Sequence, residues 1–336
     1  MKRREFLKLS FAFSALATGL GSRAALAEAP DGGARHALFF GDWGWESDVA
    51  GQAETAQQMV KYVQRHGLRT EALLMLGDSW YGPMPHGSKD MRWKVQFEDM
   101  YPQSSFDCPA YSIMGNHDYQ RMPADVVKTE IELEYAAKGG FDGKGTRWTQ
   151  PSLWYSFTFP KRNPLMTVIA LDSNVHGGHP ANAVNFTLTK EQQAEQLVWF
   201  KKELEKPRTT PFLAVMGHHP IFSNGPHGDH KILIEEWEPL LREHKVDLYL
   251  AGHDHDLQHL EFEGHPTSFV CSGAGGADLY DLKIAESARG PYAEKIYGFS
   301  HLELTRERMV LRHIAADGRV VHSFSKSTDG VVKILG

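Results

Sequence analysis

Cysteine is nearly absent: the 336 residues hold two, Cys108 and Cys271. That excludes a disulfide scaffold and any zinc site built from cysteines. Each lies near an apolar run, and both are expected as free, packed thiols. The chain also lacks any uncharged apolar run approaching the ~20 residues of a membrane-spanning helix. Glycine (31) and proline (17) are too few for a fibrous chain, and a 41% hydrophobic share excludes a disordered one. Internal repeats, low-complexity tracts and an obvious linker are lacking, so one domain is expected over 28–336. Excess positive charge is lacking as well, since the whole chain carries −6.

The first 27 residues read as an address and are set aside from fold reasoning. A basic head (Lys2, Arg3, Arg4) leads into an uncharged stretch from Leu9 to Ser22, then Ala25-Leu26-Ala27. The stretch is too short and too weakly apolar to span a bilayer. The ending is an A-x-A cleavage site, which predicts a mature start at Glu28. The head KRREFLK resembles a twin-arginine export signal, implying passage through that export machinery to a periplasmic or secreted location. The segment carries Lys2, Arg3, Arg4, Lys8 and Arg23 against Glu5, so its removal leaves the remainder at −10. An acidic surface disfavours nucleic acid as a main partner. A small anionic substrate would need a local positive centre, such as metal ions.

What the chain has in plenty is histidine, 18 in all. Short apolar runs recur, each followed at once by polar residues. His36–Phe40 leads into GDWG, Ala72–Leu76 into GDSWY, and Tyr111–Met114 into GNHD. Met166–Leu171 leads into Asp172, Phe212–Met216 into GHHP, and Val246–Ala251 into GHDH. Runs of this length read as strands buried on both faces. Helical patterns fall at Gln52–His66, with Gly67 as its stop, at Thr189–Lys206, opened by a Thr189/Gln192 capping box, and at Lys231–Glu243. The alternation predicts an α/β fold. Gly298–Leu304, Met309–Ala315 and Val320–Ser325 read as consecutive antiparallel strands, and 120–151 as a helix plus loops.

In open α/β sheets, ligands bind at the carboxyl ends of strands. Six strand ends would therefore deliver Asp, Asn and His side chains, with Tyr81 from GDSWY, to one edge. Asp42 and Asp78 offer hard oxygen donors, Asn116 a carbonyl, and His218, His253 and His255 imidazoles. Mixed N/O ligation without thiolate suits Zn, Mn or Fe. The donors are too many for one tetrahedral ion, and two ions sharing a carboxylate would use them all.

GDWG, GDSWY, GNHD, GHHP and GHDH, in that order, resemble the calcineurin-like metallophosphoesterases. Tyr81, three residues after Asp78, narrows the resemblance to purple acid phosphatases, and GHDHDLQHLE to the small mammalian-type tartrate-resistant ones. The resemblance implies a four-layer αββα sandwich of two mixed sheets flanked by helices. It implies Fe(III) held by Asp42, Asp78, Tyr81 and His255, and a divalent ion (Fe, Zn or Mn) held by Asn116, His218 and His253, with Asp78 bridging. It places His117 and His227 over the phosphate, as binding groups and leaving-group acid. The implied reaction is hydrolysis of small phosphomonoesters by in-line attack of a metal-bound hydroxide. A phosphodiesterase or nucleotide pyrophosphatase on the same scaffold is the alternative. A metal-retaining binding protein without turnover is disfavoured by the intact His117 and His227. GDSWYGP lacks the arginine that serine/threonine protein phosphatases carry there. His219 stands where the mammalian-type enzymes have tyrosine, as a hydrogen-bond donor behind the ligands or a further substrate contact. Asp172 could orient a ligand, His176 and His179 could line the pocket, and His230 competes with His227. Trp43, Trp45 and Trp80 would wall the pocket or pack.

Overall fold

The computed structural model describes residues 29–31, 33–46, 48–120, 127–178, 187–286 and 288–336. The segment 1–27, expected as an export signal, and His179 lie outside the described residues. In chain order the first elements are β1 (Arg35–Phe40), α1 (Ala50–His66), β2 (Thr70–Met75), β3 (Ala110–Ser112), α2 (Lys128–Ala137) and β4 (Trp148–Thr149). Next come β5 (Tyr155–Phe159), β6 (Met166–Ala170), α3 (Lys190–Leu204), β7 (Phe212–Met216), α4 (Lys231–Glu236), α5 (Glu238–Glu243) and β8 (Leu248–Ala251). The chain closes with β9 (Leu257–Leu260), β10 (Ser268–Ser272), β11 (Pro291–Glu294), β12 (Gly298–Leu304), β13 (Arg308–Ala315), β14 (Val320–Ser327) and β15 (Val332–Ile334).

The strands form two mixed sheets. One has the order β15-β14-β13-β12-β1-β2-β3-β4, the other β11-β9-β10-β8-β7-β6-β5. In the first, β1 to β4 run parallel and β12 to β15 pair antiparallel. In the second, β6, β7, β8 and β10 are parallel. Side chains alternate across each strand. Phe39 and Leu74 join Val168, Ala214 and Leu250 in a core between the sheets. Their neighbours Phe40 and Met75 face outward onto Met59 and Val63 of α1 and Tyr135 of α2. Ile169, Val215 and Tyr249 face outward onto Phe200 of α3, Leu233 of α4, Leu241 of α5 and Trp237 between those two helices. Helices cover both outer faces, as the α/β pattern and the resemblance predict.

Local signals act as expected in several places. Gly67 closes α1 at φ 60, the left-handed conformation glycine takes without strain. Thr189 and Gln192 form the reciprocal capping box at the start of α3. The single helix expected at Lys231–Glu243 is instead two short ones, joined at Trp237. Pro239, in the first turn of α5, has no N–H to give to the preceding turn. The 120–151 stretch carries α2, as expected, and also the two-residue edge strand β4, too short to leave an alternation pattern.

Candidate metal centre

Every predicted donor except Tyr81 lies just beyond the carboxyl end of a parallel strand. Asp42 follows β1, Asp78 follows β2, Asn116 follows β3, His218 follows β7, and His253 and His255 follow β8. Tyr81 sits in the loop after β2. Asp42, Asp78 and His253 have positive φ (59°, 49° and 69°), an uncommon conformation for side-chain-bearing residues. Such local strain clusters at functional sites, held by its surroundings. Here the holding bonds are visible. Asp42 Oδ2 accepts from His253 N at 2.8 Å, and Asp78 Oδ1 accepts from His117 N at 2.7 Å.

The side chains converge. Tyr81 Oη lies 3.2 Å from Asp42 Oδ1, 3.2 Å from Asp78 Oδ2 and 3.0 Å from His255 Nε2. His218 Nε2 lies 3.3 Å from Asp78 Oδ2 and 3.1 Å from Asn116 Oδ1. Both histidines are aimed by their other nitrogen. His218 Nδ1 bonds Leu76 O at 2.7 Å, and His255 Nδ1 bonds Asp278 O at 2.6 Å. Two groups of side chains are arranged to hold a cation: Asp42, Asp78 and His255, and His218, His219 and His253.

The donor chemistry fits metal ions. Asp42 and Asp78 are fully buried, and their ion-pair partners among the described residues are histidines. Burial alone would raise the Asp78 carboxyl, but the charges of His218 and His117 hold it well below the carboxylate range. Burial opposes charge on His218, and Asp78 and Asp42 overcome it and pull that imidazole upward. For Tyr81, burial first and then the charges of Asp78 and Asp42 push the phenol far above its ordinary value. A phenolate here requires a strong cation beside it.

His117 and His227 flank the donors. The His117 ring lies 4.3 Å from Tyr81, and burial lowers its pKa. The His227 ring lies 4.1 Å from His253 and is 44% exposed. Its Nδ1 bonds Asp254 Oδ1 at 2.6 Å, which points to Nε2 as the nitrogen left for a substrate. His230 caps α4, its Nδ1 accepting from Leu233 N. His176 is exposed. Asp172 touches Tyr119 (2.5 Å) and Asn174 (2.9 Å) rather than a donor. Trp43 and Trp80 pack edge to face in the core, while Trp45 lies against Tyr81 at 4.8 Å.

Three contributors escaped sequence reasoning. Asp254 takes His227 and the Ser223 hydroxyl. Tyr280 stacks on His255 at 4.0 Å. Asp118 accepts the backbone N–H of Ser79, Trp80 and Gly115, tying the two donor loops together. The paired spacing of GHDH marks its histidines, but nothing local marks the aspartate between them.

Comparison with known proteins agrees. The calcineurin-like phosphoesterase family matches residues 36–257. Tartrate-resistant acid phosphatase type 5 of Sus scrofa is 30% identical over 301 residues, 83% of this chain and 83% of that protein. Purple acid phosphatase 7 of Arabidopsis thaliana is 28% identical, covering 86% of this chain and 85% of that protein. Among solved structures, GAP50, the anchor in the inner membrane complex of Plasmodium, aligns with TM-score 0.71 at 20% identity, covering 86% of this chain and 87% of that one. A purple acid phosphatase from yellow lupin (Lupinus luteus) seeds aligns with TM-score 0.63 at 18% identity, covering 90% of this chain and 55% of that one. At those identities the two structures speak for the fold alone. With the motif order, the sandwich and the converged donors, this chain belongs to the calcineurin-like phosphoesterase family.

Proposed function

We propose that this chain is an exported two-metal acid phosphatase that hydrolyses phosphomonoesters. One observation carries the reading: Tyr81 Oη lies within 3.2 Å of Asp42, Asp78 and His255, in surroundings that disfavour its charged form. Asp42, Asp78, Tyr81 and His255 would hold Fe(III). Asn116, His218 and His253 would hold a divalent ion (Fe, Zn or Mn), with Asp78 shared. When bound, two such ions draw charge from phosphoryl oxygens and lower the pKa of water. The remaining work falls to the chain's own residues. His117, beside Tyr81, binds a phosphoryl oxygen. His227, its Nδ1 engaged by Asp254, presents Nε2 to the ester oxygen and gives it a proton as that oxygen leaves. Water enters opposite the departing alcohol, with no covalent enzyme intermediate. Residues 28–336 act as one catalytic unit.

Metal analysis and a visible spectrum of one purified sample test this. The expected result is iron with a broad tyrosinate band, lost in Tyr81→Phe. Iron-free, colourless wild-type protein would overturn the phenolate assignment. A panel of mono- and bis-nitrophenyl phosphate is expected to favour the monoester, and preference for the diester would select the alternative reaction.

The export reading rests on the twin-arginine pattern at 3–4 and the A-x-A site at 25–27. Replacing Arg3 and Arg4 together by Lys is expected to hold the protein in the cytoplasm. Exported wild-type protein is expected to begin at Glu28. Unchanged export of the double variant would refute the twin-arginine route. No helix among the described residues is long and apolar enough to cross a membrane.

A further inference from the structure

We propose that His219 is itself a ligand of the second ion, completing with His218 and His253 a three-imidazole face that takes a borderline divalent cation such as Zn²⁺ or Co²⁺. The inference deepens the two-metal reading and rests on it. Its basis is a juxtaposition. One nitrogen from each of His218, His219 and His253 lies within 4.8 Å of the other two. The His219 ring centroid is 5.0 Å from that of His218 and 4.3 Å from that of His253. Zn–N bonds are about 2.0–2.1 Å, so small ring rotations bring three such nitrogens onto one ion.

His219 is also built to present one nitrogen. It is 2% exposed. Ser173 Oγ lies 2.8 Å from its Nδ1 and accepts from its backbone N–H at 2.8 Å. A serine oxygen has two acceptor sites, so it can take both the Nδ1–H and the backbone bond. That tautomer leaves Nε2 as the lone-pair nitrogen, in the manner of metal-binding histidines oriented by a hydrogen bond on the far side of the ring. The Tyr249 hydroxyl donates to His219 O at 2.7 Å and fixes the backbone beneath the ring.

The two groups of donors then differ in character. Asp42 and Asp78 with Tyr81 gather anionic oxygen at one position. His218, His219 and His253 gather imidazole nitrogen at the other. Oxygen anions favour a hard, highly charged ion, and imidazoles favour Zn²⁺, Co²⁺ and their neighbours. His219 thereby makes the second position more selective for such ions than Asn116, His218 and His253 would alone.

The test uses the exported protein as purified and reads metal binding, independent of turnover. Metal content is counted by mass spectrometry. After release of the labile ion, Zn²⁺ and Co²⁺ affinities are measured by competition with a chromogenic chelator. The Co²⁺ absorption spectrum reports the donor set. His219→Gln and His219→Phe are expected to keep the iron band and to bind Zn²⁺ at least ~100-fold more weakly, since even losing the group behind a ligand costs 10–100-fold. His230→Gln, altering a ring 5.5 Å from His219, controls for loss of any nearby imidazole and is expected to bind like wild type. Wild-type affinity and an unchanged Co²⁺ spectrum in folded His219 variants would overturn the proposal. Should those variants fail to fold, Ser173→Ala decides: ~10–100-fold weaker Zn²⁺ binding supports the proposal, and unchanged affinity overturns it. Wild-type protein that binds one ion overturns the two-metal reading and this proposal together. Two ions bound with equal affinity by wild type and variants overturns this proposal alone.

Discussion

Asp254 lies between two metal-ligand candidates in sequence, yet its carboxylate serves a third histidine. Oδ1 bonds His227 Nδ1 at 2.6 Å, and Oδ2 takes the Ser223 hydroxyl. In the proposed mechanism this carboxylate fixes which nitrogen of the His227 ring is presented to a substrate. Asp254→Ala removes that restraint from a ring that is already 44% exposed. The loss is expected to depend on the leaving group. Turnover of an alkyl phosphate, which needs the proton, should fall about 100-fold, within the usual range of general-acid contributions. Nitrophenyl phosphate, whose leaving group needs little help, should fall far less. Equal losses on both substrates would make Asp254 a packing residue only. A second residue-level constraint is Gly115. A Cβ there would lie 2.2 Å from Asp78 Oδ1 and 2.3 Å from Asp78 N. Backbone cannot yield at that distance, so Gly115→Ala must displace Asp78. Destabilisation of about 1–3 kcal/mol is expected in denaturant titration, with loss of bound metal.

At the scale of elements, the strands that carry the candidate site are the ones the sequence displays most openly. A parallel strand covered on both faces must be a continuous apolar run. Its end must be polar where it meets a site, so Phe40 to Asp42 and Leu76 to Asp78 read as abrupt changes. The same physics hides β4, β9, β11 and β15. They are two to four residues long, three of them lie at sheet edges, and none is an unbroken apolar run. Helix caps are local and were legible. Thr189→Ala should cost about 1 kcal/mol, read as a lower denaturation midpoint with unchanged metal content, because the capping box satisfies the first turn of α3. The break at Trp237 escapes the apolar periodicity of Lys231–Glu243, although Pro239 stands in the sequence to signal it. Ser223, Asp254 and Tyr280 were illegible for another reason. Their partners arrive from other segments, and no spacing in one segment records a contact with another.

The whole molecule holds a second population of histidines away from the candidate metal centre. His36 and His301 bond each other at 3.1 Å, with Tyr62 on His301. His259 bonds His322 at 2.9 Å and Glu261 at 2.7 Å, and His313 bonds Ser300 at 2.7 Å. Tyr292 stacks on His322. Burial keeps these rings neutral. It lowers His313 to about 3 and His322 to about 2, with further lowering from His259. In an unfolded chain each would titrate near 6.5. A folded pKa below the unfolded one means the unfolded chain binds more protons across that window. The contribution to stability is therefore complete above pH 6.5 and declines as pH falls from there towards the folded values. At pH 5 the loss is about 2 kcal/mol for each of His313 and His322. Other groups titrate in the same range, so the measurement must isolate one ring. His322→Gln keeps a partner for His259 but cannot take up a proton. Stability measured by denaturant between pH 4 and 6 should then rise with pH less steeply than in wild type, by about one proton's worth, or ~1.4 kcal/mol per pH unit. Identical slopes would mean that His322 titrates alike in folded and unfolded chains, and that its burial does not govern its charge.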